Sequence, residues 1–238
     1  MTLPRIATRD EWRAEREKLL QEEKEFNRAR DALSARRRQL PMVEVDKVYA
    51  FEGPDGPVDR AGLFEGRRQL VVYHFMFDPK WDEGCKACSF FADNIGNLAH
   101  LHARDTTLAL VSRAPLAKLL AFKERMEWKL PWYSSYGSDF NYDYHVTLDE
   151  SVAPVEYNYR DKDELIATGE KWRLGSEQHG MSAFLRDGDR LFHTYSTYAR
   201  GPEMLFTTYN VLDFTALGRR EKKGAGMAWV RLHDRYRA

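Results

Sequence analysis

An α/β fold built on a sheet with a parallel core is predicted for this chain of 238 residues. Three observations carry the expectation. Gln69 to Phe77 is a β-rich apolar run bounded by Gly66 and Pro79, the pattern of a strand buried on both faces. Ser89 to His102 places Phe90, Phe91, Ile95, Leu98 and Leu101 at helical spacing, and a second apolar run, Thr106 to Val111, follows it. Strand, helix and strand in this order imply a right-handed crossover between parallel neighbours.

The first element in the chain is a charged helix. Thr8-Arg9-Asp10-Glu11 forms a capping box, and Pro41 stops the helix. Between Glu11 and Arg38, 16 of 28 residues are charged, while Trp12, Leu19, Phe26, Leu33 and Leu40 recur as a narrow apolar stripe. The second apolar set of a coiled coil is replaced by Glu15, Glu22, Ala29 and Arg36. Two readings follow: a solvated helix lying across its own domain, or an arm that joins two copies in a homodimer. Residues 1–42 are read as this arm, 43–217 as the main domain and 218–238 as a loosely held Gly- and charge-rich tail.

In the main domain, Val48 to Phe51 reads as a strand, Gly53-Pro54-Asp55-Gly56 as a turn, and Val58 begins the return towards Leu63-Phe64. Pro115 opens a helix that runs to about Trp128. Residues 131–159 read as irregular, with a short strand at Trp132-Tyr133-Ser134, and 160–178 as a polar insertion or mobile loop. Ser182 to Arg186 and Leu191 to Tyr195 flank Asp187-Gly188-Asp189 as a hairpin. A last helix is expected from Arg200 to Phe214, with Met204, Leu205, Val211 and Leu212 in the core.

The 37 basic residues balance 37 acidic ones, so charge gives no case for a nucleic-acid or membrane-surface partner. No run approaches the ~20 apolar residues of a membrane helix. The N-terminus lacks the apolar region of a secretory signal, so a cytoplasmic location with reduced thiols is expected.

Cys85 and Cys88 are the only cysteines, and they stand where the central strand gives way to a helix. A helix N-terminus favours a thiolate, and the C-x-x-C spacing lets an exposed first thiol attack a disulfide while the second, one turn behind, resolves the mixed disulfide. Lys86 adds a cation; Asp82 and Glu83 oppose it, so only a moderate lowering of the thiol pKa is expected. The alternative is a non-enzymatic binding protein whose cysteines are inert or hold zinc with His100 and His102, His74 facing the same strand end. No phosphate-binding loop, nucleophile elbow or H-E-x-x-H occurs, and Gly224-Ala225-Gly226 follows no strand, so no cofactor is expected. The aromatic group from Trp128 to Tyr144 reads as core and rim packing, and Asp139, Asp143 and His145 as turn and surface residues.

Tyr49 to Phe77, with Gly53-Pro-Asp-Gly56, Leu63-Phe64-x-Gly66-Arg67 and Leu70 to Phe75, resembles the opening of peroxiredoxin and thioredoxin-like domains. More closely, Tyr73 to Phe77, Gly84-Cys85-x-x-Cys88-Ser89-Phe90, Val111 to Lys118, Gly137 to Tyr142 and His193 to Gly201 resemble the bacterial domain of unknown function 899 family, whose members are often labelled predicted dithiol-disulfide oxidoreductases. The resemblance covers nearly the whole chain. It implies a thioredoxin-like fold, a central mixed sheet flanked by helices with an N-terminal helical extension. It also implies an enzyme in which Cys85 attacks and Cys88 resolves, acting on a protein or small-molecule thiol or disulfide. A substrate groove is read at Trp81, Lys86, Gly180 and Met181. The chain departs from thioredoxins in carrying Gly180-Met181 where they keep a cis-proline. It departs from peroxiredoxins in carrying Asp82 where they keep Thr or Ser, which lowers the expectation of a thiol peroxidase.

Overall fold

The computed structural model describes residues 3–222, 224 and 226–236; positions 1, 2, 223, 225, 237 and 238 of the arm and tail lie outside them. Helix α1 (Arg9–Arg37) starts at Thr8, whose hydroxyl accepts from the Glu11 N–H while the Glu11 carboxylate accepts from the Thr8 N–H at 2.8 Å. No residue of α1 is buried, and the stripe from Trp12 to Leu40 is exposed along its length, so the helix does not lay that stripe on its own domain.

After α1 come β1 (Val43–Glu44), β2 (Ala50–Gly53), β3 (Gly56–Asp59), β4 (Gln69–His74), α2 (Lys86–Asp93), α3 (Ala99–His102) and β5 (Thr106–Ser112). They are followed by α4 (Leu116–Arg125), β6 (Trp132–Ser134), α5 (Phe140–Asp143), β7 (Glu156–Tyr157), β8 (Arg160–Asp161) and α6 (Lys162–Ala167). The chain closes with β9 (Gly180–Asp187), β10 (Arg190–Tyr198) and α7 (Thr207–Asp213). One sheet has the order β1-β10-β9-β4-β5-β6-β2-β3. Its β4-β5 and β5-β6 pairs are parallel, and β9 runs antiparallel to β4. This is a thioredoxin-like mixed sheet with helices on its faces.

Alternation along β4 builds a core on each face of the sheet. Val72 packs with Phe51, Phe64, Phe140 and Tyr144, whereas Tyr73 packs with Phe91, Trp132 and Cys88. In the register of β4 with β9, Tyr73 faces Met181 and His74 faces Gly180, so the start of β9 lies beside the strand end from which the cysteines depart. Among the described residues, no helix is long and apolar enough to cross a membrane.

Four expectations are corrected. The helix expected over 89–102 is divided, because Asn94 ends α2 and turns its Oδ1 to Thr207 and Thr208 at the start of α7. Leu101 is consequently exposed. The helix from Pro115 ends at Arg125, and Glu127 takes a left-handed φ of 51°. Residues 160–178 are ordered by a second capping box between Asp161 and Glu164, which places Leu165 in a satellite core with Val146, Leu148 and Tyr198. The last helix is short and leaves Met204 and Val211 exposed, while Val230 and Leu232 of the tail are buried against α2 and α4 residues.

Candidate functional site

Ten residues separate the end of β4 from Cys85, and that segment is held at both ends. The Phe75 N–H donates to Val111 O at 2.9 Å and the Cys85 N–H to Met76 O at 3.0 Å. Between these points the Lys118 ammonium donates to Pro79 O at 2.8 Å and Trp81 O at 2.9 Å. Gly84 is required by close approach: a Cβ there would lie 2.7 Å from the Phe75 ring and 2.9 Å from the Phe122 ring. Gly84→Ala is expected to destabilise the reduced protein by about 1–3 kcal/mol through overpacking, read as a lower urea midpoint at unchanged slope. An unchanged midpoint would show that the two rings yield.

Cys85 occupies the N-cap of α2 and is partly exposed; Cys88, one turn on, is 1% exposed. The two sulfurs share a hydrogen bond that pulls the Cys85 thiol down to about 6 against the cost of its burial. The N–H groups of Cys88 and Ala87 and the charge of Lys86 add to the lowering. Burial, reinforced by Cys85, pushes the Cys88 thiol well up. The opposition expected from Asp82 and Glu83 is small because Asp82 is exposed and Arg125 and Arg235 both engage the Glu83 carboxylate. The lowering is therefore larger than the sequence suggests.

The buried sulfur has donors of its own. The Met76 N–H donates to Cys88 Sγ at 3.4 Å, and the Tyr73 phenol is a second hydrogen-bond partner. The Tyr73 ring is fixed by stacking on Phe91 with centroids 3.7 Å apart. Tyr73 was absent from the sequence-predicted site. The alternation of β4, which puts it on the α2 side, is the signal that places it there.

The groove expected at Trp81, Lys86, Gly180 and Met181 is not outlined by any one cavity among the described residues. Trp81, Met181 and Cys85 are partly buried against the same core cluster, and Lys86 is exposed beside them. Gly180 is buried instead beneath Tyr198, whose ring a Cβ would meet at 2.6 Å. A separate cavity of about 630 Å³ opens against Ala87 and Tyr73.

The zinc alternative does not assemble. His100 and His102 sit on α3, and among the described residues no three His, Cys, Asp or Glu side chains gather to hold a metal ion. His74 is buried and shares a 2.8 Å hydrogen bond with Ser182 rather than approaching the thiols. Asp143 accepts from the Tyr49 hydroxyl at 2.7 Å and pairs with Lys47 at 2.6 Å, on the other face of the sheet.

Among solved structures, peroxidoxin BcpB from Mycobacterium tuberculosis is 12% identical with a TM-score of 0.40, and the match covers 73% of this chain and 97% of that one. Peroxiredoxin Q from Xanthomonas campestris is 9% identical with a TM-score of 0.42, covering 70% and 96%. Similarity of this depth bears on neither activity nor substrate. A search of curated proteins finds no match. The sequence model of the bacterial proteins of unknown function called DUF899 matches residues 1–236, and the chain belongs to that family.

Proposed function

We propose that the protein is a thiol-disulfide oxidoreductase, with Cys85 as the attacking thiolate and Cys88 as the resolving thiol. The observation that carries this reading is the placement of the two thiols, Cys85 partly exposed at the N-cap of α2 and Cys88 enclosed one turn behind it, which favours the thiolate at the first and the thiol at the second. At neutral pH the partly exposed sulfur is then the nucleophile and the buried one its held partner.

The reaction balances as follows. The Cys85 thiolate attacks one sulfur of a disulfide RSSR, forming a Cys85–S–S–R mixed disulfide and releasing RS⁻. Cys88, on losing its proton, attacks Cys85 Sγ, forms the Cys85–Cys88 disulfide and releases the second RS⁻. The dithiol loses two electrons and two protons, and the substrate becomes two RSH. A thiol reductant returns the enzyme to the dithiol by the reverse exchange.

Equilibration of the reduced protein with glutathione buffers, followed by mass mapping, tests the reading. A reversible Cys85–Cys88 disulfide is expected; its absence across the whole buffer range overturns the assignment.

The pH dependence follows from the direction of the Cys85 shift. Thiolate exists above the pKa, so iodoacetamide alkylation of Cys85 is expected to rise with pH through a midpoint near 6 and then level off. A midpoint at about 8.5, the value of a free thiol, would count against it. Cys88 should stay unmodified until the protein is unfolded.

Tyr73→Phe removes one donor from Cys88. Because a hydrogen bond to a charged group is worth about 1.5–3 kcal/mol, resolution of the mixed disulfide is expected to slow about tenfold or more. Stopped-flow measurement of the second step, with the first unchanged, separates this from a folding defect.

A further inference from the structure

The cavity of about 630 Å³ beside the dithiol has Ala87, from between the two cysteines, and Tyr73, the partner of Cys88, in its wall. Such a volume suits a small molecule. Its lining is basic. Arg200 and Arg219 both donate to Oε1 of one carboxylate, Glu203, at 2.9 and 2.7 Å. The other acid of the lining, Glu221, is engaged at the wall, where its Oε1 accepts from the Tyr209 hydroxyl at 2.6 Å and from Trp229 Nε1 at 2.8 Å. Lys222 is exposed and forms no ion pair among the described residues. Arg173 completes the lining cations, and the carboxylates that balance Arg173 and Arg219 from outside, Glu170 and Asp213, do not line the cavity. A solute entering it meets four cations against two carboxylates; Arg173, Arg200 and Arg219 are each already paired with an acid, and Lys222 is the lining cation without an ion pair among the described residues. The α2 N-terminus adds its partial positive charge at the same end.

Resting on the dithiol reaction proposed above, we infer that this cavity receives the anionic part of a small disulfide bearing carboxylates, and delivers its sulfur to Cys85. The carboxylates are held by Arg200 and Lys222 at the rim and by Arg219 deeper in. Cys85 then attacks the nearer sulfur, and the first carboxylate-bearing thiolate leaves.

The test uses three probes of similar length: 3,3′-dithiodipropionate, which is anionic, 2-hydroxyethyl disulfide, which is neutral, and cystamine, which is cationic. Each rate with the full-length reduced protein is divided by the rate with free dithiothreitol, which removes leaving-group differences. The normalised rate is expected to favour the anionic over the cationic probe by about tenfold or more, the equivalent of ~1.4 kcal/mol. Added salt should compress the ratio. The ratio should collapse towards one in Arg200→Ala/Lys222→Ala. A ratio near or below one in the wild-type protein overturns the inference, as does a ratio that survives in the double variant but vanishes in Lys86→Ala. Mass mapping of the wild-type product keeps the two failures apart. A Cys85–Cys88 disulfide formed without charge preference sinks only the cavity assignment, whereas no such disulfide with any probe sinks the dithiol reaction itself.

Discussion

Cys85→Ser is expected to lower the rate of disulfide reduction by at least about 10³-fold, because the hydroxyl that replaces the thiolate neither ionises near neutral pH nor attacks sulfur. Cys88→Ser is expected to do something different. Cys85 still attacks, so the mixed disulfide forms, but nothing one turn behind displaces the substrate thiol. The variant should accumulate as a stable adduct whose mass exceeds that of the reduced protein by one substrate half. This asymmetry follows from exposure as well as from ionisation: Cys85 reaches solvent, and Cys88 is enclosed with the Met76 N–H and Tyr73 against its sulfur. If Cys85→Ser traps substrate on Cys88 as readily as the converse variant does on Cys85, the roles are wrong.

The part of this site that could be read from the chain is the part written locally. Gln69 to His74 is a continuous β-rich run, and the only two cysteines follow it at the spacing of one helical turn, so strand, helix and thiol pair were legible together. The hairpin at Asp187-Gly188-Asp189 was legible for the same reason, since Gly188 supplies the positive φ of 59° that the turn needs. What was hidden depends on residues far apart in sequence. Asn94 reads as an ordinary helix residue until Thr207 and Thr208 are known to approach it. Val230 and Leu232 are isolated apolar residues in a charged tail, without periodicity to announce burial. The basic cavity is assembled from Tyr73, Ala87, Arg173 and the segment from Arg200 to Lys222, and no local pattern joins these. The size of the Cys85 shift was hidden too, because Asp82 and Glu83 look repulsive in sequence while Arg125 and Arg235 lie distant along it.

Arg113→Ala is expected to destabilise the fold by about 3–5 kcal/mol, through a carboxylate rather than through the arginine itself. Glu177 is 2% exposed, and its charge is met by Arg113 Nε at 2.8 Å and by the Thr147 hydroxyl at 3.0 Å. The same guanidinium donates from Nη2 to Asp78 at 2.8 Å, in the loop that leads to the cysteines, so one side chain ties the segment before β9 to the entry of the site. Burial holds the Glu177 carboxyl above its ordinary value even though Arg113 pulls it down. Removing Arg113 takes away the larger part of the downward pull and leaves the Thr147 hydroxyl alone against the cost of burial. A carboxyl raised in the folded state contributes its stability below the unfolded pKa and loses it as pH rises through the folded one. The cost of Arg113→Ala should therefore be largest near neutral pH and shrink in acidified solution, as Glu177 in the variant takes up its proton. Glu177→Gln in the Arg113→Ala background should recover much of the loss, since it removes the buried charge and keeps the side-chain volume. Urea unfolding of the single and double variants at neutral and acidic pH measures all of this. A loss below about 1 kcal/mol, or one equal at both pH values and untouched by Glu177→Gln, would mean that the guanidinium acts through its packing on Tyr142 and its bond to Asp78 rather than through the buried acid.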